Sequence, residues 1–579
     1  MRAKAALALI GLASVLPFLS PNFLEPISSF YGETTAIVLG LAALTCLYSR
    51  AAWPVIQLPR ASLIFLGFAG LILLHAVIGR TVYPQQNLLA ILYLVWAVAL
   101  AALGWRLKEI FGLETLVTVL SWFVLAGALL SAVIGLAQWL GIPSPLKPFM
   151  LPQVSGRIFA NTGQPNHLAD YIGLGMASLI FLAARGRLWL PVAATAAAPL
   201  LVVLVISGSR SAWLYLAALV LLALLQWLLL RSRVAARIAW LSVAALIGFL
   251  LAQWLVATLT QTSVMQVESI ASRVHSEGIF SSIRLRLWHE AWLMFRDAPL
   301  LGQGFRQFPW QHFVLNSQLP PPRLEDLLYD NAHNLVMQTL AEFGLAGAVV
   351  LAAGLAVWAA AILRQEFSAA MWWLLSALAI LGIHSMLEYP LWYAYFLGIV
   401  AVLLGASESA AITIGNRPGA RLVPVLILLL GWMAAANTYQ DYRTLQSLHR
   451  VQSRGDATQA RSTADVLLDL QQHSLFTPFV ELALARLIVL NREQLDNKIA
   501  VNDAAMHFAP AADVVYRQAA LLALDGRVEA AHEQWDRSVE NYPGTRASVV
   551  KVLQAMAASD AHMAELLEYA NTRNAGETK

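Results

Sequence analysis

Long apolar runs, broken by short polar stretches, recur from the N-terminus to about residue 438. A helix crosses the hydrocarbon core of a bilayer with about 20 apolar residues. On that measure the chain predicts about thirteen spans, centred on residues 5–20, 34–49, 61–78, 88–104, 114–139, 168–184, 188–206, 212–230, 238–258, 344–363, 369–385, 390–407 and 422–438. Between 188 and 230 the break is Ser207-Gly-Ser-Arg-Ser211. Beyond residue 439 the apolar runs stop, and helical patterning with mixed charge replaces them. The expected fold class is all-α: a polytopic helical membrane domain over 1–438, with a large loop at 259–333, followed by a helical domain over 439–579.

Composition supports the membrane reading, with 59% hydrophobic and 12% charged residues, about half the charged fraction of a soluble domain. The net charge of +4 invites a nucleic-acid partner, but the basic residues sit singly or in pairs at the ends of apolar runs, where they set orientation. Arg2, Lys4, Arg50, Arg60, Arg106, Lys108, Arg185, Arg187, Arg231, Arg233, Arg237, Arg364, Arg417 and Arg421 fall on one side; the short loops opposite hold Arg80, Lys147, Arg157 and Arg210. That asymmetry places the N-terminus in the cytoplasm and the C-terminus outside. The opening Met1-Arg-Ala-Lys4 and its apolar run read as an uncleaved first span. The single cysteine, Cys46, excludes an intrachain disulfide. In the C-terminal domain, Ala519, Leu522, Gly526, Ala531, Trp535 and Pro543 match a tetratricopeptide unit over Asp513 to Pro543, and Ala457 to Leu490 is a candidate second copy.

With this orientation the loops 140–167, 207–211, 259–333 and 384–389 all open outward. They hold nearly all the polar clusters of the membrane domain, so one outward-facing site is the economical reading. Tyr329-Asp-Asn-Ala-His333-Asn334, running on to Gln338, Glu342 and Gly344, brings polar groups to the mouth of a span. Membranes tolerate such groups mainly where they line a cavity or do chemistry. His333 has orienting partners at hand, and imidazole as a side-chain type can take up a proton near neutral pH. No zinc spacing, nucleophile elbow, P-loop or dinucleotide fingerprint is present, so a metal-independent histidine base without a cofactor is the simplest chemistry. Arg210, among serines and a glycine at a helix start, suits an anion; an interfacial snorkelling arginine is the plain alternative. Arg284, Trp288 and Trp292 share one helical face by their spacing, as in a helix lying on a membrane.

These residues together resemble the O-antigen ligase and polymerase superfamily of bacterial envelope glycosyltransferases. The likeness rests on Ser-x-Ser-Arg at 207–210, Arg284-x-x-x-Trp288 with Pro299-Leu-x-Gly-x-Gly304, and His333-Asn334 with Glu342-x-Gly344. Gly156-Arg-x-x-Ala160-Asn161, Gln164-Pro-Asn166-His167-Leu-Ala169 and His384-Ser-x-x-Glu388-Tyr389-Pro-Leu-Trp-Tyr393 narrow it to the protein O-oligosaccharyltransferases of the PglL/PilO type. The resemblance implies en bloc transfer of an oligosaccharide from a polyprenyl diphosphate to a Ser or Thr hydroxyl of an exported protein such as pilin. The implied place is the outer, periplasmic face of the bacterial inner membrane. In that scheme His333 is the base, and Arg210 and Arg284 hold the diphosphate, with Arg286 and Arg157 in reserve. Gln164, Asn166, His167, Asn334, Glu388 and Tyr389 position sugar or acceptor, and direct displacement inverts the anomeric carbon.

A ligase acting on lipid A core, or a glycan polymerase, would share this chemistry and differ in acceptor. A transporter would show internal symmetry and charges at the bilayer midplane, whereas the polar residues here gather toward one face. A non-catalytic scaffold leaves the outward Arg and His clusters unexplained.

Overall fold

The structure is a computed structural model that describes the chain except for residues 21–22, 50–52, 54, 152–156, 262–281, 321–326, 416–417, 454–459 and 573–579. Arg50, Gly156, Arg417 and Ala457, all used in the sequence reading, lie outside the described residues, as do two stretches of the 259–333 loop. The helices are α1 Arg2–Ala13, α2 Leu16–Leu19, α3 Phe30–Leu47, α4 Ser62–Val77, α5 Pro84–Phe111, α6 Leu113–Trp139, α7 Pro165–Ala184, α8 Leu190–Ile206, α9 Ser211–Leu230 and α10 Arg233–Gln261. They continue as α11 Ser282–Asp297, α12 Phe308–Gln318, α13 Leu335–Ile362, α14 Ala369–Ser385, α15 Ala394–Ser407 and α16 Pro418–Ser453. The C-terminal set is α17 Ala460–His473, α18 Thr477–Leu487, α19 Leu495–Phe508, α20 Ala512–Leu524, α21 Val528–Asn541, α22 Arg546–Ala557 and α23 Ala561–Thr572.

Among the described residues nine helices are long and apolar enough to cross a membrane, and four shorter apolar ones (α4, α8, α14 and α15) accompany them. Each expected run falls on one of these helices. The chain is a helical, multi-pass membrane protein. Ser207–Arg210 does separate α8 from α9. One boundary differs: α16 runs unbroken from the last apolar run past residue 439, because Ala434-Ala-Ala436 and the Gln, Arg and Leu residues that follow are all helix formers. A small antiparallel ribbon, Ile56–Pro59 with Ala411–Gly415, is an addition the sequence did not announce.

The chain packs as two compact units. The first comprises Met1–Ala69, Leu92–Ser282 and Val349–Ala436. Its central helix is α7, which starts on Pro165 at a position where the missing N–H costs nothing and is buried along nearly all its length. Small residues allow this close packing, as in membrane helix pairs generally: a Cβ on Gly175 would overlap Ala128, and one on Gly127 would overlap Tyr171. Tyr171 stacks on Phe18 at 4.2 Å and donates to Ser14 O at 2.9 Å.

The second unit comprises Gly70–Ile91, Ile283–Ala348 and Asn437–Lys579. Its centre is a backbone clasp. Gly344, at φ 59° and ψ −150°, breaks the helical ladder of α13. The interrupted turn pairs with Pro299-Leu-Leu-Gly-Gln-Gly304 instead. Gln303 N and Gly304 N donate to Ala341 O and Glu342 O at 2.9 and 3.1 Å, while Leu345 N and Ala346 N donate to Pro299 O and Leu300 O at 2.8 and 3.0 Å. The polar groups released by the break are thus satisfied. His75 Nε2 donates to Leu301 O at 2.9 Å, and its Nδ1 accepts from Phe305 N at 3.2 Å, which fixes that ring's tautomer.

The C-terminal helices join the same unit. α20 and α21 form a hairpin turned at Gly526, with Ala519, Ala531 and Trp535 buried, and α12 packs on α21: Asn316 Nδ2 donates to Asn541 Oδ1 at 2.8 Å, and Asn541 Nδ2 to Phe313 O at 3.1 Å.

Candidate functional site

In the first unit three of the sequence clusters meet on one side chain. Asn166, in the first turn of α7, donates from Nδ2 to Glu388 Oε1 at 2.8 Å and accepts from Ser209 Oγ at 2.8 Å. A carboxamide suits this post, having donors at one atom and an acceptor at the other. The bonds bring together the Gln164–His167 turn, the Ser207–Arg210 turn and the 384–393 motif. Arg210 is the residue before α9, where helix N–H groups and the macrodipole favour negative charge. Gln164 caps the backbone start of α7, and its carbonyl accepts from Thr162 Oγ1 at 3.1 Å. Tyr389 stacks on Tyr393 at 6.0 Å.

Two motif residues turn inward. Asn161 is fully buried and reaches Phe18 O and Ser131 Oγ, so it pins the loop that carries half-buried Arg157. His167 lies among aromatic rings, 5.0 Å from Tyr393 and 5.1 Å from Phe396, and 5.5 Å from His384. His384 in turn stands 3.6 Å from Asp170, both fully buried. Asp170 was missed in the sequence; its signal was an acid inside an apolar span, three residues after His167.

In the second unit α11, α12 and the stretch from Tyr329 to the start of α13 share a small core around Leu287, Phe308 and Ala332. His333 sits at φ 52°, in the left-handed region. Its N–H donates to Asn331 Oδ1 at 2.8 Å, and its Nδ1 bonds Asn331 O at 3.0 Å. A carbonyl can only accept, so Nδ1 carries the proton and Nε2 presents the lone pair. Asn334 caps α13, its Oδ1 accepting from Val336 N and Met337 N at 3.0 Å each. Gln338 Oε1 accepts from Ala332 N at 2.7 Å. Tyr329 packs edge-on to His333, and burial pushes its hydroxyl up from the usual tyrosine range, keeping it protonated at neutral pH.

Arg284 and Arg286 both lie on α11. Arg286 Nε donates at 3.0 Å to Glu290, whose carboxylate is fully buried and also accepts from His312 Nδ1 at 2.6 Å. Arg286 Nη1 reaches Pro320 O at 3.2 Å. Arg284, two residues earlier on the same helix, is half-buried. Glu290 and His312 were missed as partners. The i, i+4 spacing of Arg286 and Glu290 was a legible signal, whereas nothing in the sequence marks His312.

Comparison with known families falls on these same segments. Residues 195–352 match the family described as O-Antigen ligase. Residues 158–183 match Protein glycosylation ligase, and residues 372–556 match the family described as Virulence factor membrane-bound polymerase, C-terminal. A General O-oligosaccharyltransferase of Acinetobacter baylyi (strain ATCC 33305 / BD413 / ADP1) is 26% identical over 450 residues, covering 76% of this chain and 75% of that protein.

These segments make the chain similar to the O-antigen ligase superfamily and to its protein glycosylation ligases.

The O-antigen ligase segment contains Arg210, Arg284, Arg286, His333 and Asn334. The glycosylation ligase segment contains Gln164, Asn166, His167 and Asp170, and the third segment contains Glu388 and Tyr389. Asn166, which joins Ser209 to Glu388, therefore ties together one residue from each of the three matched segments.

Proposed function

We propose that the protein is an oligosaccharyltransferase that moves a preassembled glycan from a polyprenyl diphosphate to a Ser or Thr hydroxyl of an exported protein, on the periplasmic side of the bacterial inner membrane. The observation that carries the mechanism is the His333 ring, whose Nδ1–H is spent on Asn331 O. Its Nε2 lone pair then takes the acceptor proton as the hydroxyl oxygen attacks the anomeric carbon. The bond from that carbon to the phosphate oxygen breaks, its electron pair leaves with the diphosphate, and the configuration inverts. Arginines hold the growing negative charge. Arg284, Arg286, Arg210 and Arg157 are the candidates for that role, with Arg286 already engaged by Glu290. Gln164, Asn166, Glu388, Tyr389 and Asn334 position the reactants or the loops that bear them. His167, ringed by aromatic side chains, is assigned to support of that turn.

The protein acceptor is favoured by the glycosylation ligase match and by the Acinetobacter relative. An in-cell transfer assay with a lipid-linked glycan tests the reading, comparing the natural chain with His333→Ala and Arg210→Ala at matched membrane levels. Glycan should appear on a periplasmic protein and vanish in both variants. Glycan found only on lipid A core would make the enzyme a ligase and overturn the acceptor assignment.

A further inference from the structure

Arg306 lies in the second unit, just after the clasp, and no motif in the sequence singles it out. Five non-glycine residues among those described have positive φ: Ala160, Arg231, Arg306, His333 and Gln494. Arg306, at φ 62°, pairs with Asp330, which lies three residues before His333. A residue with a Cβ is strained there and glycine is not; strain of this kind gathers at functional sites when the surroundings enforce it. The enforcing contacts are visible. Gly304 is clasped to Glu342 O, and the buried Glu342 carboxylate accepts backbone N–H bonds from Arg306 and from Phe308, the latter at 3.4 Å.

What this backbone presents is a guanidinium that is only 20% exposed, with Nη1 3.9 Å from Asp330 Oδ2. That separation is an ion pair but too long for a hydrogen bond. A half-exposed pair of this length adds little stability, so it does not by itself account for a strained arginine where glycine would relax; the guanidinium charge also reaches the buried Glu342 carboxylate. Asp330 is three residues from His333, a stretch that spans at most about 10 Å. The guanidinium and the imidazole can therefore serve one substrate. Its planar donor fork matches phosphate oxygens.

We propose that Arg306 binds the diphosphate of the lipid-linked donor beside His333, an inference that rests on the oligosaccharyltransferase reading above. It makes no bond itself; it holds the leaving diphosphate as the electron pair passes to the phosphate oxygen, and Asp330 keeps the guanidinium aimed.

The test uses the full chain in lipid nanodiscs and measures binding of polyprenyl diphosphate and of neutral polyprenol, alongside thermal unfolding. Arg306→Gly should unfold at the natural temperature or above it, because the strain is relieved, yet bind the diphosphate lipid about tenfold more weakly with polyprenol binding unchanged. Arg306→Lys should fall between. Unchanged diphosphate binding in Arg306→Gly, with transfer still abolished by His333→Ala, would overturn this inference and leave the parent reading standing. A lower unfolding temperature in Arg306→Gly would also overturn it, by showing the side chain to be structural. A natural chain that binds no polyprenyl diphosphate would sink both.

Discussion

Arg286, on α11, is tied to a buried carboxylate, and that tie gives it structural work. Truncating Arg286 leaves the fully buried Glu290 carboxylate with His312 alone, and breaking a buried charge pair is costly. Because Arg286 keeps some solvent contact, Arg286→Ala is expected to destabilise the fold by about 2 kcal/mol, read as a lower unfolding temperature. An unchanged unfolding temperature in Arg286→Ala would deny that pair its structural role. At His333 the base assignment predicts a transfer rate that falls as pH drops and the imidazole is protonated. His333→Ala should lose about 10²- to 10⁴-fold in rate along with that acid limb, and an acid limb that survives the substitution would end the base role. His333 stood out in the sequence as part of the polar cluster at a span mouth. Its tautomer did not, since that depends on a carbonyl two residues back and on a left-handed backbone no residue type announces.

The clasp between Pro299–Gly304 and the Gly344 break is the element that holds His333 and Arg306 in one frame. Both strands of the clasp were visible as motifs, Pro299-Leu-x-Gly-x-Gly304 and Glu342-x-Gly344, but not their pairing, because backbone bonds leave no residue signature. Gly302, at φ 71°, packs on the backbone of Glu342 and Phe343, and a Cβ on Gly344 would come within 2.7 Å of Gly302 N. Gly302→Ala and Gly344→Ala therefore face both strain and overlap, and each is expected to cost more than about 2 kcal/mol. Gly79, at φ 72° in the same unit with nothing near its Cβ position, isolates the strain; Gly79→Ala should cost about 1 kcal/mol. Similar unfolding temperatures for all three variants would deny the clasp its role.

At the scale of the molecule, the C-terminal helices belong to the same compact unit as the loop that carries His333. Phe313 of α12 is buried in one core with Val515, Trp535 and Leu553, and the sequence, which divides the chain near residue 439, does not disclose this. A chain ending at residue 453 would strip α12 of that cover. It is expected to lose transfer activity at normal membrane level, with the α12 region newly open to protease; full activity in the shortened chain would show the two parts to be independent. The charge asymmetry makes a separate prediction. A cysteine at Ser559 should react with an impermeant maleimide in spheroplasts, and one at Arg187 should not, with Cys46 replaced in both. The reverse pattern would invert the orientation.

The sequence by itself determined the membrane class, the helical architecture and the polar residue types that gather at span ends. Apolar run length and the placement of basic residues act locally, and burying His, Asn, Arg and acids at span ends is costly enough to stand out against any apolar background. Only the tertiary structure decided which of those residues share a hydrogen bond. Asn166 with Ser209 and Glu388, Arg286 with Glu290 and His312, and the frame around Arg306 join positions from 4 to 222 residues apart. Such partners are chosen by packing and by the satisfaction of buried polar groups across the whole unit, which no local pattern encodes.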